Sequence, residues 1–140
     1  MRAFEFTVPG KPVAKGRPRF VRASGRAFTP AATVNYEACV RLAAELAGVC
    51  VLSGPLELCV RAFWACPRGQ ERQRKPRGEY WKPNGPDADN VLKAVSDALN
   101  GIAYQDDRQI VRACVEKRQA KQGEAPRVDV CIREMEPECP

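Results

Sequence analysis

The chain has 140 residues, 44% of them hydrophobic and 29% charged, with a formal net charge of +6. That composition belongs to a soluble, folded domain large enough to bury one core, and not to a disordered chain. There is no histidine, which removes Ser-His-Asp and Cys-His catalysis and leaves carboxylates, lysine and metal for any chemistry.

Residues 3–8, AFEFTV, alternate apolar and polar and predict a strand. The start of the chain has no uninterrupted apolar segment, which argues against a signal peptide and for a cytoplasmic protein. PGKPVAKGRP is broken by proline and glycine and reads as a loop. RFVRASGRAFTP predicts a hairpin around ASG with basic side chains on both arms. TPAATVNYEACVRLAAELAG predicts a helix over residues 31–47, with Thr29 as N-cap, Pro30 at the first helical position and Val34, Ala38, Leu42 and Leu46 facing the core.

LELCVRAFWAC predicts a strand over residues 55–65. Residues 67–86 lack apolar periodicity and form a long basic loop, a feature often tied to function in compact domains. A helix over 88–100 follows. QIVRACVEKRQAK and RVDVCIREME then predict two strands paired as a hairpin around QGEAP, and the tail EPECP is expected to fray. No apolar run approaches the roughly 20 residues of a membrane span. The order β, hairpin, α, β, α, β, β implies an α/β protein of the α+β type: one domain over residues 1–140, a mixed sheet with two helices packed on it.

Seven cysteines are present, none spaced as CxxC. Without histidine, paired zinc ligands are poorly supported, and an odd count in a reducing compartment predicts free thiols used as small core residues.

Positive charge gathers in two runs. GKPVAKGRPRFVRASGR carries Lys11, Lys15, Arg17, Arg19, Arg22 and Arg26, and RGQERQRKPRGEYWK carries Arg68, Arg72, Arg74, Lys75, Arg77 and Lys82. Such runs serve either as solvated loops or as seats for a polyanion. Tyr80 and Trp81, inside the second run, either stack on bases or pack at the base of the loop.

Against this background five aspartates crowd into GPDADNVLKAVSDALNGIAYQDDRQI, residues 85–110. On a wheel of about 100° per residue, Val91, Leu92, Val95, Ala98, Leu99 and Ile102 fall in one arc and Asp89, Asn90, Lys93, Ser96, Asp97 and Asn100 in another. Asp87 or Asp89 occupies the N-cap, and Asn100–Gly101 supplies the stop. Capping, plus an Asp89–Lys93 pair at i,i+4, accounts for part of this pattern. It does not require two aspartates one residue apart and a trailing DD. Carboxylates held together call for a cation, and hard oxygen ligands suit Mg²⁺ or Mn²⁺. From the residues alone, a capped surface helix and a metal site both stand.

The order DxDN, a lysine three residues after the asparagine, DAL and then DD, preceded by GKPVAKGRPRF and TPAATVNYE, resembles the RusA family of Holliday-junction resolvases over most of the chain. The resemblance implies a Mg²⁺-dependent homodimeric endonuclease of bacteria or their prophages, with Mn²⁺ as a substitute. Its substrate would be branched DNA, above all four-way junctions, cut by paired symmetrical nicks that leave 5′-phosphate and 3′-hydroxyl ends. It places metal ligands at Asp87, Asp89 and Asp107 and the essential lysine at Lys93. Asn90, Asp97 and Asp106 match in supporting positions, and the second aspartate of the DD pair is taken as the ligand. The basic runs would then hold DNA through Lys11, Lys15, Arg17, Arg19, Arg72, Arg74, Lys75 and Arg77. Competing readings are a nuclease for flaps or forks, a non-catalytic DNA-binding module whose acids cap a helix, and a cysteine-based metal module.

Overall fold

The computed structural model describes residues 1–138; the side chain of Arg19, and Cys139, lie outside the described residues. In chain order the elements are β1 (Ala3–Pro9), β2 (Arg19–Val21), β3 (Arg26–Phe28), α1 (Ala31–Leu46), β4 (Leu56–Trp64), β5 (Tyr80–Trp81), α2 (Ala88–Ala98), β6 (Ile110–Gln119) and β7 (Arg127–Glu134). Five strands form a mixed sheet ordered β1-β7-β4-β6-β5, while β2 and β3 pair only with each other. The expected mixed sheet with two helices is what the chain builds.

The last two strands do not form the expected hairpin. β4 lies between them, antiparallel to β7 and parallel to β6. The reason is burial: Leu56, Leu58, Val60, Ala62, Phe63 and Trp64 are all buried, so β4 takes the centre of the sheet, where both its edges are paired. A parallel neighbour needs a crossover, and α2 is the helix of that crossover. β5 was not anticipated; Tyr80 and Trp81 leave the long loop to pair with Gln119 and Arg118 at the sheet edge.

Phe6, Val8, Val60, Ala62, Val128, Val130 and Ile132 point to the helix side and join Val91, Val95, Ala98 and Leu99 of α2 in one core. Val91 and Val95 are almost wholly buried, each worth about 1.5–3 kcal/mol relative to exposure. The apolar arc of α2 therefore fixes the helix, and its polar arc is left for other work.

α1 turns a different arc inward from the one expected. It buries Thr33, Tyr36, Val40 and Ala44, whereas Val34, Leu42 and Leu46 are exposed, Leu46 by 81%, and Ala38 is exposed as well. The helix has two apolar rows, and the Thr33 contact decides between them: its Oγ1 accepts from the Gly16 amide at 2.9 Å, tying the helix to the preceding loop. The N-cap is Pro30, one residue after Thr29. The six described cysteines are free, as expected, but none is a core residue: Cys39, Cys50 and Cys114 are exposed, and Cys59, Cys66 and Cys131 are half-buried.

The side of the sheet away from the helices is polar and regular. Cross-strand register sets Cys131, Cys59 and Cys114 in one row, and Asp129, Arg61 and Glu116 in the next. Its arginines are paired: Arg61 with Glu116, Arg112 and Arg133 with Glu57, Arg118 with Glu116, and Arg127 with Asp129.

Candidate active site

The head of α2 follows a turn containing a cis Gly85–Pro86 peptide. Asp87 occupies the N-cap position, yet its carboxylate accepts no hydrogen bond from the first turn. Capping, the plainest use for an aspartate there, is not what this side chain does. Asp89 sits in the first turn. Among the described residues the aspartates within 4.0 Å of a cation are Asp97, Asp106 and Asp129, never Asp87, Asp89 or Asp107. The expected Asp89–Lys93 pair is not formed: the Lys93 ammonium leans the other way, 3.5 Å from Asp97, with its side chain 59% exposed. A pair so long and so wet adds little stability, and Lys93 is free to meet an outside group.

The DD pair divides its labour. Asp106 caps the short 3-10 turn Asp107–Gln109, accepting from the Arg108 amide at 2.9 Å and pairing with the Arg108 guanidinium at 3.0 Å. The Arg108 amide and guanidinium hold the Asp106 carboxyl below the usual carboxylate range. Gln109 completes the capping box and donates to the carbonyls of Leu52 and Gly54, fastening the turn to the entry of β4. Asp107 has no ion-pair partner among the described residues and lines a small cleft with Leu92 and Ser96 of α2 and Ile110 and Ala113 of β6. That cleft sets the start of β6 beside the middle of α2.

Asp87, Asp89 and Asp107 are thus distributed along α2. Among the described residues, no three acidic or cysteine side chains gather closely enough to enclose a cation. The donors are nonetheless hard carboxylate oxygens with no cation within 4.0 Å among the described residues. That set fits Mg²⁺ or Mn²⁺, which bind through one or two carboxylates and fill their remaining positions with water and substrate phosphate.

Two anchors hold the surroundings. The Lys15 ammonium lies between Glu37 at 2.6 Å and Asp97 at 3.2 Å, and its amide donates to the Asn90 carbonyl at 2.8 Å. Burial works against its charge, but hydrogen bonds to Glu37 and Asp97 outweigh burial and raise its pKa. Lys15 therefore fastens the first basic loop to both helices, and Asp97 is a structural partner here. Gly16, next along, sits where a Cβ would lie 2.9 Å from both Pro30 Cγ and Thr33 Oγ1. The second basic loop is held by Gln122, which accepts from the amides of Arg72 and Arg77 and donates to the Arg72 carbonyl.

Lys11, Arg17, Arg72, Arg74 and Lys75 are all exposed. Arg77 lies over the Tyr80 ring at 4.2 Å. Trp81 is 61% exposed and carries Arg118 over its ring at 3.9 Å, while Tyr80 is half-buried. Gln109, Lys117 and Gln122 went unnoticed in the sequence. No motif marks them, because each works by reaching backbone that lies far away along the chain.

The model of the family described as "Endodeoxyribonuclease RusA" matches residues 9–133. The chain belongs to the RusA family. A Bacillus subtilis (strain 168) protein, "Uncharacterized protein YqaN", is 34% identical over 143 residues, covering 96% of this chain and 99% of that protein. RusA membership makes this chain an endodeoxyribonuclease and DNA its partner, and it implies activity on Holliday junctions. No helix among the described residues is long and apolar enough to cross a membrane.

Proposed function

We propose that this protein is a Mg²⁺-dependent nuclease that resolves four-way DNA junctions by paired symmetrical nicks. The observation that carries the reading is at the head of α2: the Asp87 side chain makes no capping hydrogen bond, Asp89 has no ion-pair partner among the described residues, and basic loops flank the helix start. Asp87, Asp89 and Asp107 are the carboxylates that would hold the metal, one or two of them at a time with water and substrate phosphate filling the remaining positions, and Mn²⁺ would serve as a substitute. When bound, Mg²⁺ activates water, neutralises the scissile phosphate and stabilises the leaving oxygen.

The chain's own side chains do the positioning. Lys93, one helical turn beyond Asp89, reaches a phosphate oxygen from the exposed side of α2. Asp97 sets the resting place of Lys93 and is itself fixed by Lys15. Asp106 and Gln109 lock the turn that presents Asp107. Asn90 supplies the carbonyl that docks the first basic loop. Lys11, Arg17, Arg72, Arg74, Lys75 and Arg77 take backbone phosphates, which positions the DNA arms without reading bases.

Two nicks related by symmetry call for two sites, hence a homodimer. The exposed row Val34, Leu42 and Leu46 on α1 is the apolar surface that suits a second copy. The expected setting is the cytoplasm of a bacterium, with the protein encoded by host or phage.

The test is cleavage of an end-labelled four-way junction, a flap and a linear duplex, with and without Mg²⁺. The expected result is two nicks at symmetry-related positions of the junction, only with Mg²⁺. Equal cutting of linear duplex overturns junction selectivity, and preference for the flap assigns the site to other branched DNA.

A further inference from the structure

Two lysines outside the residues assigned above meet at the turn that feeds α2. The Lys117 ammonium, near the end of β6, donates to the carbonyls of Asn84 at 2.6 Å and Pro86 at 2.7 Å. Lys82 donates to Asn84 Oδ1 at 2.8 Å, and its amide bonds the Lys117 carbonyl at 3.0 Å. Both ammoniums therefore converge on Asn84, three residues before Asp87.

Neither has a carboxylate within 4.0 Å among the described residues; the lysines so paired are Lys15 and Lys93. Carbonyl and amide oxygens solvate an ammonium but do not cancel its charge. The Lys82 ammonium also lies 5.4 Å from the centre of the Trp64 ring, which shields it from water on one side. Burial lowers the Lys82 pKa, and the nearby charges of Lys117 and Lys11 push it the same way.

We propose that Lys82 and Lys117 form a seat for one backbone phosphate of the bound DNA strand, beside the scissile phosphate at Asp87 and Asp89. Like charges held together are costly until an opposite charge arrives, and a phosphodiester supplies one charge with two acceptor oxygens. An ammonium has three donors. Lys117 uses two on carbonyls and Lys82 one on Asn84, so both retain donors for those oxygens. A role confined to bracing the turn does not need two positive charges, since any neutral donor satisfies Asn84 Oδ1. Seating a neighbouring phosphate fixes the register of the strand and thereby selects which phosphodiester faces the acids. The seat rests on the nuclease reading for its meaning but not for its detection.

Binding of a four-way junction without divalent cation, measured across a salt series, tests it. Lys82→Gln is expected to flatten the slope of log K against log salt by about 0.9, the value of one phosphate contact. Lys82→Arg is expected to restore the slope, with unchanged thermal unfolding in both variants. A scan of single methylphosphonates, which remove one phosphate charge at a time, should find one position near the cut that weakens the wild type and does not weaken Lys82→Gln further. An unchanged slope in Lys82→Gln, or a scan in which every neutral phosphate weakens variant and wild type alike, overturns the seat. Mg²⁺-dependent cutting by the wild type reports separately: a protein that binds with the expected phosphate footprint but never cuts refutes the nuclease reading and leaves the seat standing.

Discussion

The two sides of the sheet carry similar charge types and use them in opposite ways. On the side away from the helices, Arg61, Arg112, Arg118, Arg127 and Arg133 each lie within 4.0 Å of a carboxylate, and Glu57 serves two of them. On the helix side, Asp87, Asp89, Lys82 and Lys117 at the head of α2, and Asp107 beside its middle, find no opposite charge within that distance among the described residues. Charges paired within the chain are part of its structure. Charges held close by rigid elements and left unpaired make sense only with something from outside.

That contrast is tested most severely by Asp89→Asn. The exchange leaves the fold unharmed, since Asp89 has no ion-pair partner among the described residues, and cuts turnover by about 10²–10³-fold, the scale of removing one electrostatic stabiliser. Junction binding is retained. Unfolding curves and single-turnover cleavage report the two halves of the expectation, and unchanged cleavage removes Asp89 from the site.

Gly16→Ala probes the exception, a basic loop whose lysine is paired. The new Cβ meets Pro30 and Thr33 at 2.9 Å, and the proline ring cannot swing away. A loss of about 1–3 kcal/mol is expected, read by urea unfolding, with Lys15 shifted from Asp97.

Glu57→Gln strikes the paired side and has the smallest effect, about 1 kcal/mol, because both arginine partners are half in water. Cleavage is unaffected. Burial tends to raise the Glu57 pKa, but hydrogen bonds from Arg133 and Arg112 outweigh it and lower the pKa. The carboxylate therefore stabilises the fold above its unfolded pKa, and that contribution fades as pH falls through the lower folded value. Melts of wild type and variant should differ at neutral pH and converge in acid.

Alternation and helical period were enough to read the strands at 3–8 and 55–65 and the helix that carries the acids, because each has a single apolar face. α1 was legible as a helix but not in its orientation: it has two apolar rows, and the choice depends on Gly16 meeting Thr33, a contact the sequence does not display. The β6–β7 pairing misled for a related reason, since neighbours in sequence give no sign that β4 will come between them. Within the candidate site, the motif singled out Asp87, Asp89 and Asp107. The absence of a cap at Asp87, the diversion of Lys93 to Asp97 and the convergence of Lys82 with Lys117 depend on how the turn at Asn84 meets β6, and spacing along the chain does not encode that.

One consequence of the parallel pairing of β4 with β6 concerns how such a site is inherited. Asp87, Asp89, Lys93 and Asp107 all lie on the stretch of chain that joins β4 at Trp64 to its parallel neighbour β6 at Ile110, and that stretch touches the sheet on its way as the two-residue edge strand Tyr80–Trp81. The reactive groups travel as one cassette between two fixed posts. The framing strands can drift while the cassette keeps its internal spacing, and a graft of that one segment between two parallel strands carries the whole acidic constellation with it.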